Sequence, residues 1–366
     1  MCKRIIASSL FFFVLLLGSC IKDDLADCPE GLRLNYCYIL NTEYQCLLEK
    51  NVESLRAYIF DENTRLLVKV VTLSPDDINR KWIDVNDLPS GMYTITSWGG
   101  SSRDMEKGGF IDGDMTDPAT STFIPYVAVG RTTIDNFRMM LATEPLRATP
   151  GMDVGHTHDM DDSRIHPGEV IPLAGGGFDD IYFGIVQHVE VVDGEQCTAN
   201  IDMMQDTNTL HVKVKGWELL SSRAVDNQEP FICVSGHNER YGYDNSIDRY
   251  AREVCYEPYF ESDNGTEISV DIRVMHLDIN RFKDEPVLFY IRNAVTGRNI
   301  ISPIDVINDV ILKAKDKQGN LLWPDQEAID RVNEFSFEVS VLADLSVSIT
   351  VNGFEIINTN VDISRP

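Results

Sequence analysis

Apolar residues alternate with polar ones along most of this chain, and this pattern constrains the fold more than any other. Ile268, Val270, Ile272 and Val274 form one of the clearest runs. Positions two apart lie on the same face of a β-strand, so such runs indicate half-buried antiparallel strands. Gly, Asn, Asp and Pro residues separate the runs, as is typical of turns between short strands. The sequence therefore predicts an all-β protein.

The predicted strands are short and regularly spaced, which favours two tandem antiparallel β-sandwich domains. We place these domains at residues 20–192 and 193–366, after a signal at residues 1–19. A hairpin is predicted through the turn at 206–208, and Asn352-Gly353 is the strongest two-residue hairpin signal in the chain. The polar tract 101–122 predicts a loop. Helical turns are expected only at three places, residues 221–225, 247–254 and 324–332.

The N-terminus has the order of a bacterial export signal. Lys3 and Arg4 precede a short apolar run that is below the roughly 20 residues of a membrane-spanning helix. Residues 17–20 then resemble a lipoprotein box, in which Cys20 becomes the acylated first residue of the mature chain, with palmitate among the expected acyl groups. The alternative is that Cys20 is an ordinary thiol behind a standard cleavage site.

The residues directly after this cysteine predict where the protein is sent. Lys22, Asp23 and Asp24 resemble the lysine-plus-acids signal that directs lipoproteins of Bacteroidota to the outer face of the outer membrane. Each buried CH₂ of an acyl chain contributes about 0.8 kcal/mol, and two or more chains hold a protein stably. We therefore expect a surface-exposed protein of the cell outer membrane that is tethered by lipid and does not span the bilayer.

The charge of the chain excludes one class of partner. The formal net charge is -26, and it becomes -28 when the two basic residues of the signal are removed. A field of that sign repels phosphate backbones, so the sequence predicts no nucleic-acid partner.

Six cysteines remain after the signal and the lipidation site are set aside, and an oxidising envelope permits disulfides between them. They are Cys28, Cys37, Cys46, Cys197, Cys233 and Cys255. Six thiols allow 15 complete pairings. They are clustered in two sets of three, so at least one cysteine per set stays free or pairs across the domains. The sequence alone does not select a pairing.

Several segments in order resemble one known family over nearly the whole chain. Residues 20–36 are similar to the start of the mature FimB/Mfa2 fimbrial anchor lipoproteins of Bacteroidales, and shorter matches follow at residues 91–99, 207–216, 236–245 and 349–354. Phe354 departs from the pattern, since tryptophan is more usual there. The resemblance implies two transthyretin-like β-sandwich domains. It also implies a protein at the base of a surface fimbria, or pilus, that holds the fibre to the outer membrane and limits its length.

The partner implied by the resemblance is a fimbrillin, the major fimbrial subunit, bound by β-strand complementation. Main-chain hydrogen bonds then give strength, and alternate side chains give specificity. The candidate strands are residues 345–358 and 32–40, with pairing inside their own sandwiches as the alternative. Fimbrillin precursors of this class lose an N-terminal strand by proteolysis after an arginine. Arg33 and Arg56 are the corresponding candidates here, but an anchor is expected to stay uncut.

Competing functions have weaker sequence support. A cluster around His156 and His158 has metal-ligand spacing but lies in a Gly/Pro/Asp-rich stretch, so we expect a solvated acidic loop and no metal. The acidic run 112–117 starts like a calcium loop but lacks its glycine and its final glutamate. Residues 175–177 imitate a dinucleotide turn without the surrounding β-α-β unit. We therefore predict no enzyme activity and no cofactor.

Two non-catalytic alternatives to the anchor stay open. The first is a minor or tip adhesin of the same fibre. The second is a surface glycan-binding lipoprotein that uses exposed aromatic rings. Its candidate stacking residues are Trp82, Trp98, Trp217 and Trp323, although tryptophans scattered among strands more often pack in cores.

Overall fold

A computed structural model describes 14 stretches of the chain. They are residues 30–105, 109–117, 122–141, 144–145, 169–170, 178–217, 219, 230–249, 251, 253–282, 286–293, 299–344, 346–351 and 354–359.

Strands dominate the described residues, which confirms the predicted all-β class. In chain order they are β1 (Gly31–Leu40), β2 (Ser54–Asp61), β3 (Leu67–Thr72), β4 (Trp82–Val85), β5 (Gly91–Gly100), β6 (Phe110–Asp117), β7 (Thr122–Ile124), β8 (Phe137–Leu141), β9 (Glu144–Pro145), β10 (Glu169–Val170), β11 (Ile181–Val191), β12 (Gln196–Gln205), β13 (Thr207–Lys215), β14 (Pro230–His237), β15 (Arg240–Tyr241), β16 (Glu253–Tyr256), β17 (Pro258–Asp263), β18 (Glu267–Met275), β19 (Leu288–Asn293), β20 (Ile304–Asp305), β21 (Glu334–Val341), β22 (Val347–Val351) and β23 (Phe354–Thr359). The helices are short: α1 (Leu48–Asn51), α2 (Pro75–Arg80), α3 (Gln326–Asp330), a π turn at Val306–Val310 and a 3-10 turn at Ile311–Lys313.

A seven-stranded sheet, in the order β3-β2-β5-β11-β12-β1-β4, holds most of the strands of the first half. One face of β1 buries Leu32, Leu34, Tyr36 and Tyr38. The hydroxyl of Tyr36 lies 3.2 Å from that of Ser97 on β5, although β5 and β1 are not neighbours in the sheet. The two ends of the sheet therefore face each other across a shared core.

The opposite face of β2 and β5 is covered by a second layer, the four-stranded sheet β15-β8-β6-β7. Trp98 on β5 packs against Phe110 on β6 with 5.2 Å between ring centroids. Tyr58 on β2 packs against Phe137 on β8 at 4.7 Å. Since the residues of β5 alternate between the two faces, this one strand contributes to two cores.

Two six-stranded sheets contain most of the strands of the second half, and one of them also includes β9 and β10. Their orders are β17-β18-β13-β21-β22-β23 and β20-β19-β14-β16-β10-β9. Phe289 on β19 meets Phe337 on β21 edge to face at 5.6 Å, so side chains of both sheets pack in one interior. This arrangement is a β-sandwich.

Sheet pairing crosses the predicted boundary between residues 192 and 193. β12 follows that boundary but pairs with β1 and β11 in the first sheet. β15 pairs with β8, and β10 pairs with β16. The sheets that contain these strand pairs therefore each include strands from both sides of the predicted boundary.

Some local predictions were wrong. The hairpin through 206–208 does not form, because β12 and β13 pair with different partners and no ladder joins them. The tract 101–122 includes β6, and 247–254 enters β16 instead of a helix. The helical turn at 324–332 is confirmed by α3, and the hairpin at Asn352-Gly353 by the pairing of β22 with β23. Residues 221–225 lie outside the described residues.

Candidate functional site

β1, one of the two candidate strands for fibre assembly, is enclosed between two neighbours. It runs parallel to β12 from Gly31↔Gln196 and antiparallel to β4 from Leu32↔Val85. The predicted pairing within its own sandwich is met on one side only, since β4 lies in the predicted first domain and β12 in the predicted second. β12 pairs along the length of β1 and β4 along residues 32–35, so this part of β1 offers no edge to a partner strand.

A side-chain cluster on β1 and β4 fastens the two strands together. The Arg33 guanidinium donates two hydrogen bonds to the Asp84 carboxylate, Nε to Oδ1 at 2.8 Å and Nη2 to Oδ2 at 3.0 Å. The same guanidinium lies 4.1 Å from the ring centroid of Trp82. The hydrogen bond to Asp84 raises the pKa of Arg33. Such two-bond pairs fix geometry as well as energy.

Neither arginine predicted as a possible processing site is in an exposed loop. Arg33 lies within β1, and Arg56 lies within β2, opposite Thr72 on one side and Trp98 on the other. Proteases cut preferentially at exposed loop tips. Paired strands therefore protect both peptide bonds in the folded protein.

The other candidate segment, residues 345–358, spans β22 and β23, and these two strands differ. β22 lies between β21 and β23 and is fully paired. β23 pairs with β22 from Val351↔Phe354 to Val347↔Thr359 and ends the sheet. Within the described residues no strand pairs with its outer side. An edge strand presents a row of backbone N–H and C=O groups to a further strand.

The opposite edge of the same sheet is less suited to accepting a strand. β17 contains Pro258, has a register shift between Pro258 and Phe260, and ends with the exposed acidic residues Glu261 and Asp263. Proline, bulges and charges are the usual means by which edge strands resist pairing. In β23 the only charged residue is Glu355. Both edge strands have a register shift, that of β23 opposite Ile349 and Thr350, so β23 differs from β17 in having no proline and fewer charged residues.

The family-like residues at 207–208 and 236–245 surround a buried carboxylate where β12 passes into β13. Asn245 Nδ2 donates to Asp206 Oδ1 at 2.8 Å, and Asp206 is fully buried. Burial raises the pKa of Asp206. Asn208 receives a hydrogen bond from Leu277 N at 2.8 Å, and Tyr256 donates to Asn238 at 2.7 Å. These residues hold the crossing between sheets and are not a partner surface.

Most of the predicted site residues at the N-terminus and in the middle loop cannot be placed. Cys20, Lys22, Asp23 and Asp24 lie outside the described residues, so their roles in lipidation and export stay predictions. The same holds for residues 156–166 and 175–177. No helix in the described part of the chain has the length and hydropathy to cross a membrane.

Two carboxylates of the calcium-like run have structural partners. Tyr58 donates to Asp112 Oδ2 at 2.6 Å, and Thr132 donates to Asp114 Oδ2 at 2.7 Å. Both carboxylates lie on β6 and are buried. Across the residues the structure describes, no group of three or more His, Cys, Asp or Glu side chains is arranged to hold a metal ion.

The four tryptophans proposed as glycan platforms are not open platforms. Trp98 is fully buried, and Trp323 packs against Phe335 at 4.9 Å. Trp82 is half-buried, with the guanidinium groups of Arg33 and Arg80 against its ring. Trp217 is also half-buried.

Exposed aromatic rings do occur, at positions that sequence reasoning did not select. They are Tyr44, Tyr126 and Phe260. Tyr44 lies under the Arg331 guanidinium, at 4.5 Å from the ring centroid. Tyr44 lies in the polar turn after β1, and Phe260 lies beside the register shift in β17. Neither feature produces a recognisable sequence signal.

Comparison with known proteins gives a family and a fold. The family described as "Fimbrillin-A associated anchor proteins Mfa1 and Mfa2" matches residues 25–360. No curated protein sequence matches the chain. The fimbrial anchor protein Mfa2 from Porphyromonas gingivalis is similar in structure, with a TM-score of 0.59, 16% identity, and coverage of 91% of this chain and 100% of that one.

Two other solved structures share the fold. A candidate polysaccharide-binding protein from Bacteroides thetaiotaomicron has a TM-score of 0.62 at 18% identity, with coverage of 90% of this chain and 98% of that one. A candidate adhesin from Bacteroides ovatus has a TM-score of 0.61 at 19% identity, with coverage of 89% and 95%. At these identities the likeness concerns the fold alone.

Proposed function

The chain belongs to the family of fimbrillin-A associated anchor proteins Mfa1 and Mfa2, and we propose that it anchors a surface fimbria to the bacterium and limits the length of the fibre. Its fold agrees with that of the fimbrial anchor protein from Porphyromonas gingivalis. A subunit with a fibre interface at one end and a lipid at the other has no second interface, so it terminates growth.

The observation that supports this role most directly is the contrast between β1 and β23. β1 is held between β12 and β4, whereas the outer side of β23 pairs with no described strand. We propose that a fimbrillin binds by strand complementation along the edge of β23. Because β1 stays paired in the first sheet, we propose that the protein joins the fibre through β23 alone.

The attachment to the cell is proposed to be lipid. Acylation of Cys20, with palmitate among the chains, would tether the protein to the outer membrane, and Lys22, Asp23 and Asp24 would direct it to the outer surface. The role needs no catalytic group, no cofactor and no metal. The net charge of -26 further disfavours a nucleic-acid partner.

Replacing the lipidated cysteine tests the anchor. Cys20→Ala should release fimbriae into the medium, because the folded protein would then lack its acyl chains. Immunoblotting of cell-bound and shed fimbrillin measures the release. Cys197→Ala changes a half-buried cysteine of β12 and is the matched control, expected to leave fibres attached. Fibres that stay on cells with unchanged length in both variants and in a deletion strain would refute the proposal.

Two neighbouring proline substitutions test the edge of β23. N–H groups of adjacent residues in an antiparallel strand point to opposite sides, so of Ile357→Pro and Asn358→Pro one removes a hydrogen-bond donor toward β22 and the other removes one from the free edge. We expect the variant that loses the donor toward β22 to have a lower Tm. The variant that loses the donor on the other side should keep a nearly unchanged Tm but lose capture of fimbrillin. If both variants fold and capture fimbrillin normally, this edge is not the binding site.

A tip position in the same fibre is the main alternative, since one solved relative is a candidate adhesin. Gold labelling of this protein on isolated fibres distinguishes the two, because an anchor marks the cell-proximal end. Glycan binding that is lost on a single change at Tyr44, Tyr126 or Phe260 would instead favour a surface glycan-binding protein.

A further inference from the structure

The structure selects among the cysteine pairings that the sequence left open. Apart from Cys20, the mature chain has six cysteines, of which five are described, all as reduced thiols: Cys37, Cys46, Cys197, Cys233 and Cys255. Four of them form two neighbouring pairs. The fifth lies apart from both.

The first pair, Cys37 and Cys46, is brought together by the turn that follows β1. Leu47 N donates to Tyr38 O at 3.0 Å, and Asn41 Nδ2 donates to Tyr38 O at 2.9 Å, so the chain folds back along the end of the strand. Cys46 Sγ then lies 4.0 Å from the carbonyl oxygen of Tyr36, the residue before Cys37. Burial together with a hydrogen bond between the two thiols raises the pKa of Cys37 to about 12.

The second pair, Cys233 and Cys255, lies on adjacent antiparallel strands. Cys255 on β16 is opposite Ser235 on β14, and Cys233 is two residues before Ser235, so both thiols are on one face of the sheet. They form a small buried cluster with Tyr290. A hydrogen bond between the thiols and their burial raise the pKa of Cys255 well above its ordinary value.

The remaining described cysteine, Cys197, is out of reach of the first pair. It is opposite Leu32 on β1, whereas Cys37 is opposite Asp202. Five strand residues at about 3.3 Å each separate these positions by about 17 Å. A disulfide needs Cα atoms within about 7 Å of each other. Cys197 also lies in a different sheet from Cys233 and Cys255.

We propose that the mature protein carries two disulfides, Cys37–Cys46 and Cys233–Cys255. The proposal goes beyond the anchoring role but rests on the proposed surface location, where thiols meet oxidants. The bonds form during folding, while the thiols are still accessible, since the folded protein buries the second pair.

The oxidant is a protein disulfide of the cell envelope, and the exchange is balanced. One thiolate attacks a sulfur of the oxidant disulfide and forms a mixed disulfide. The thiolate of the second cysteine then attacks the sulfur of the first cysteine in that intermediate, which closes the disulfide. Two S–H bonds are lost and one S–S bond is gained, while the oxidant takes up two protons and two electrons as two thiols.

Mapping of thiols in protein taken from outer membranes tests the pairing. The sample is blocked with N-ethylmaleimide, denatured without reductant and digested with trypsin. Cys37 and Cys46 share the peptide 34–50, which should be two hydrogens lighter and unalkylated. Peptides 224–240 and 253–273 should be linked to each other.

The variants are chosen so that a folding defect does not obscure the result. Cys37→Ser should expose Cys46 to alkylation and leave the 224–240 to 253–273 link intact, whereas Cys197→Ser should change neither disulfide. Full alkylation of Cys37 and Cys46, no link between Cys233 and Cys255, or a disulfide that joins one of these four cysteines to Cys28 or Cys197 would overturn the pairing. If both cysteine pairs are reduced in a protein that still anchors fibres, the proposed disulfides are refuted but the proposed function is not.

Discussion

Leu34→Ala tests whether β1 is a permanent part of the first sheet. Leu34 is fully buried in the middle of β1, on the face that also buries Leu32, Tyr36 and Tyr38. Truncating a buried leucine to alanine costs about 2–5 kcal/mol, through lost transfer energy and the cavity that remains. We expect a loss of about 3 kcal/mol in the free energy of unfolding.

The same change should open β1 to a protease. Arg33 is next to Leu34, and its peptide bond is protected while β1 is paired on both sides. Cleavage of a transiently opened segment follows the population of the open form when closing is fast. A loss of about 3 kcal/mol corresponds to about a hundredfold larger open population, at about 1.4 kcal/mol for each factor of ten. Native-state digestion with trypsin, followed by mass spectrometry of the 34–50 peptide, measures the rate.

A control on the same strand separates this effect from a general loss of strand propensity. Ile39 is 39% exposed, and Ile39→Ala should cost about 1 kcal/mol or less, as is usual for surface changes. Urea unfolding of both variants gives the comparison. If Leu34→Ala costs no more than Ile39→Ala, or if cleavage after Arg33 does not change, β1 is not held by its buried face and the reasoning fails.

Three further outcomes follow from the described contacts. Asp84→Asn should lower stability by about 1 kcal/mol or less, since the Arg33 pair is half-exposed, and added salt in a urea titration should reduce the difference. The free energy of unfolding of the Asp206→Asn variant should increase relative to that of the wild type as pH rises from 4 to 7. The buried Asp206 carboxyl has a raised pKa, so its contribution to stability is present at low pH and is lost as pH rises through that pKa. Asparagine does not titrate, and urea unfolding of both proteins at the two pH values checks the sign. Trp98→Ala should cost about 3–5 kcal/mol by urea unfolding, because a fully buried ring leaves a cavity between Phe110 and Phe183; a smaller loss than that of Trp82→Ala would contradict this placement.

The candidate site shows which features can be predicted from local sequence patterns and which cannot. The alternation of residues 32–38 correctly predicted a strand with one buried face, but the same pattern suits an edge strand and a strand between two neighbours. Only the register of Leu32 with Val85 and of Gly31 with Gln196 showed that β1 is enclosed. From the hairpin signal, the sequence could likewise suggest an edge strand at β23. It could not distinguish this edge from the one at β17.

By itself, the sequence determined most of the strand segments, the buried faces of the clearest ones and the family that the chain resembles. These properties depend on side-chain periodicity and short motifs, both of which are local. The tertiary structure decided which strands are partners. Residues 201–214 looked like one hairpin because apolar and polar residues alternate on both sides of a turn. However, β12 pairs with β1, far earlier in the chain, and β13 pairs with β18 and β21. Pairing is chosen by burial and hydrogen bonding between distant segments, and the same long-range contacts bring Cys233 beside Cys255. No local pattern encodes those distances.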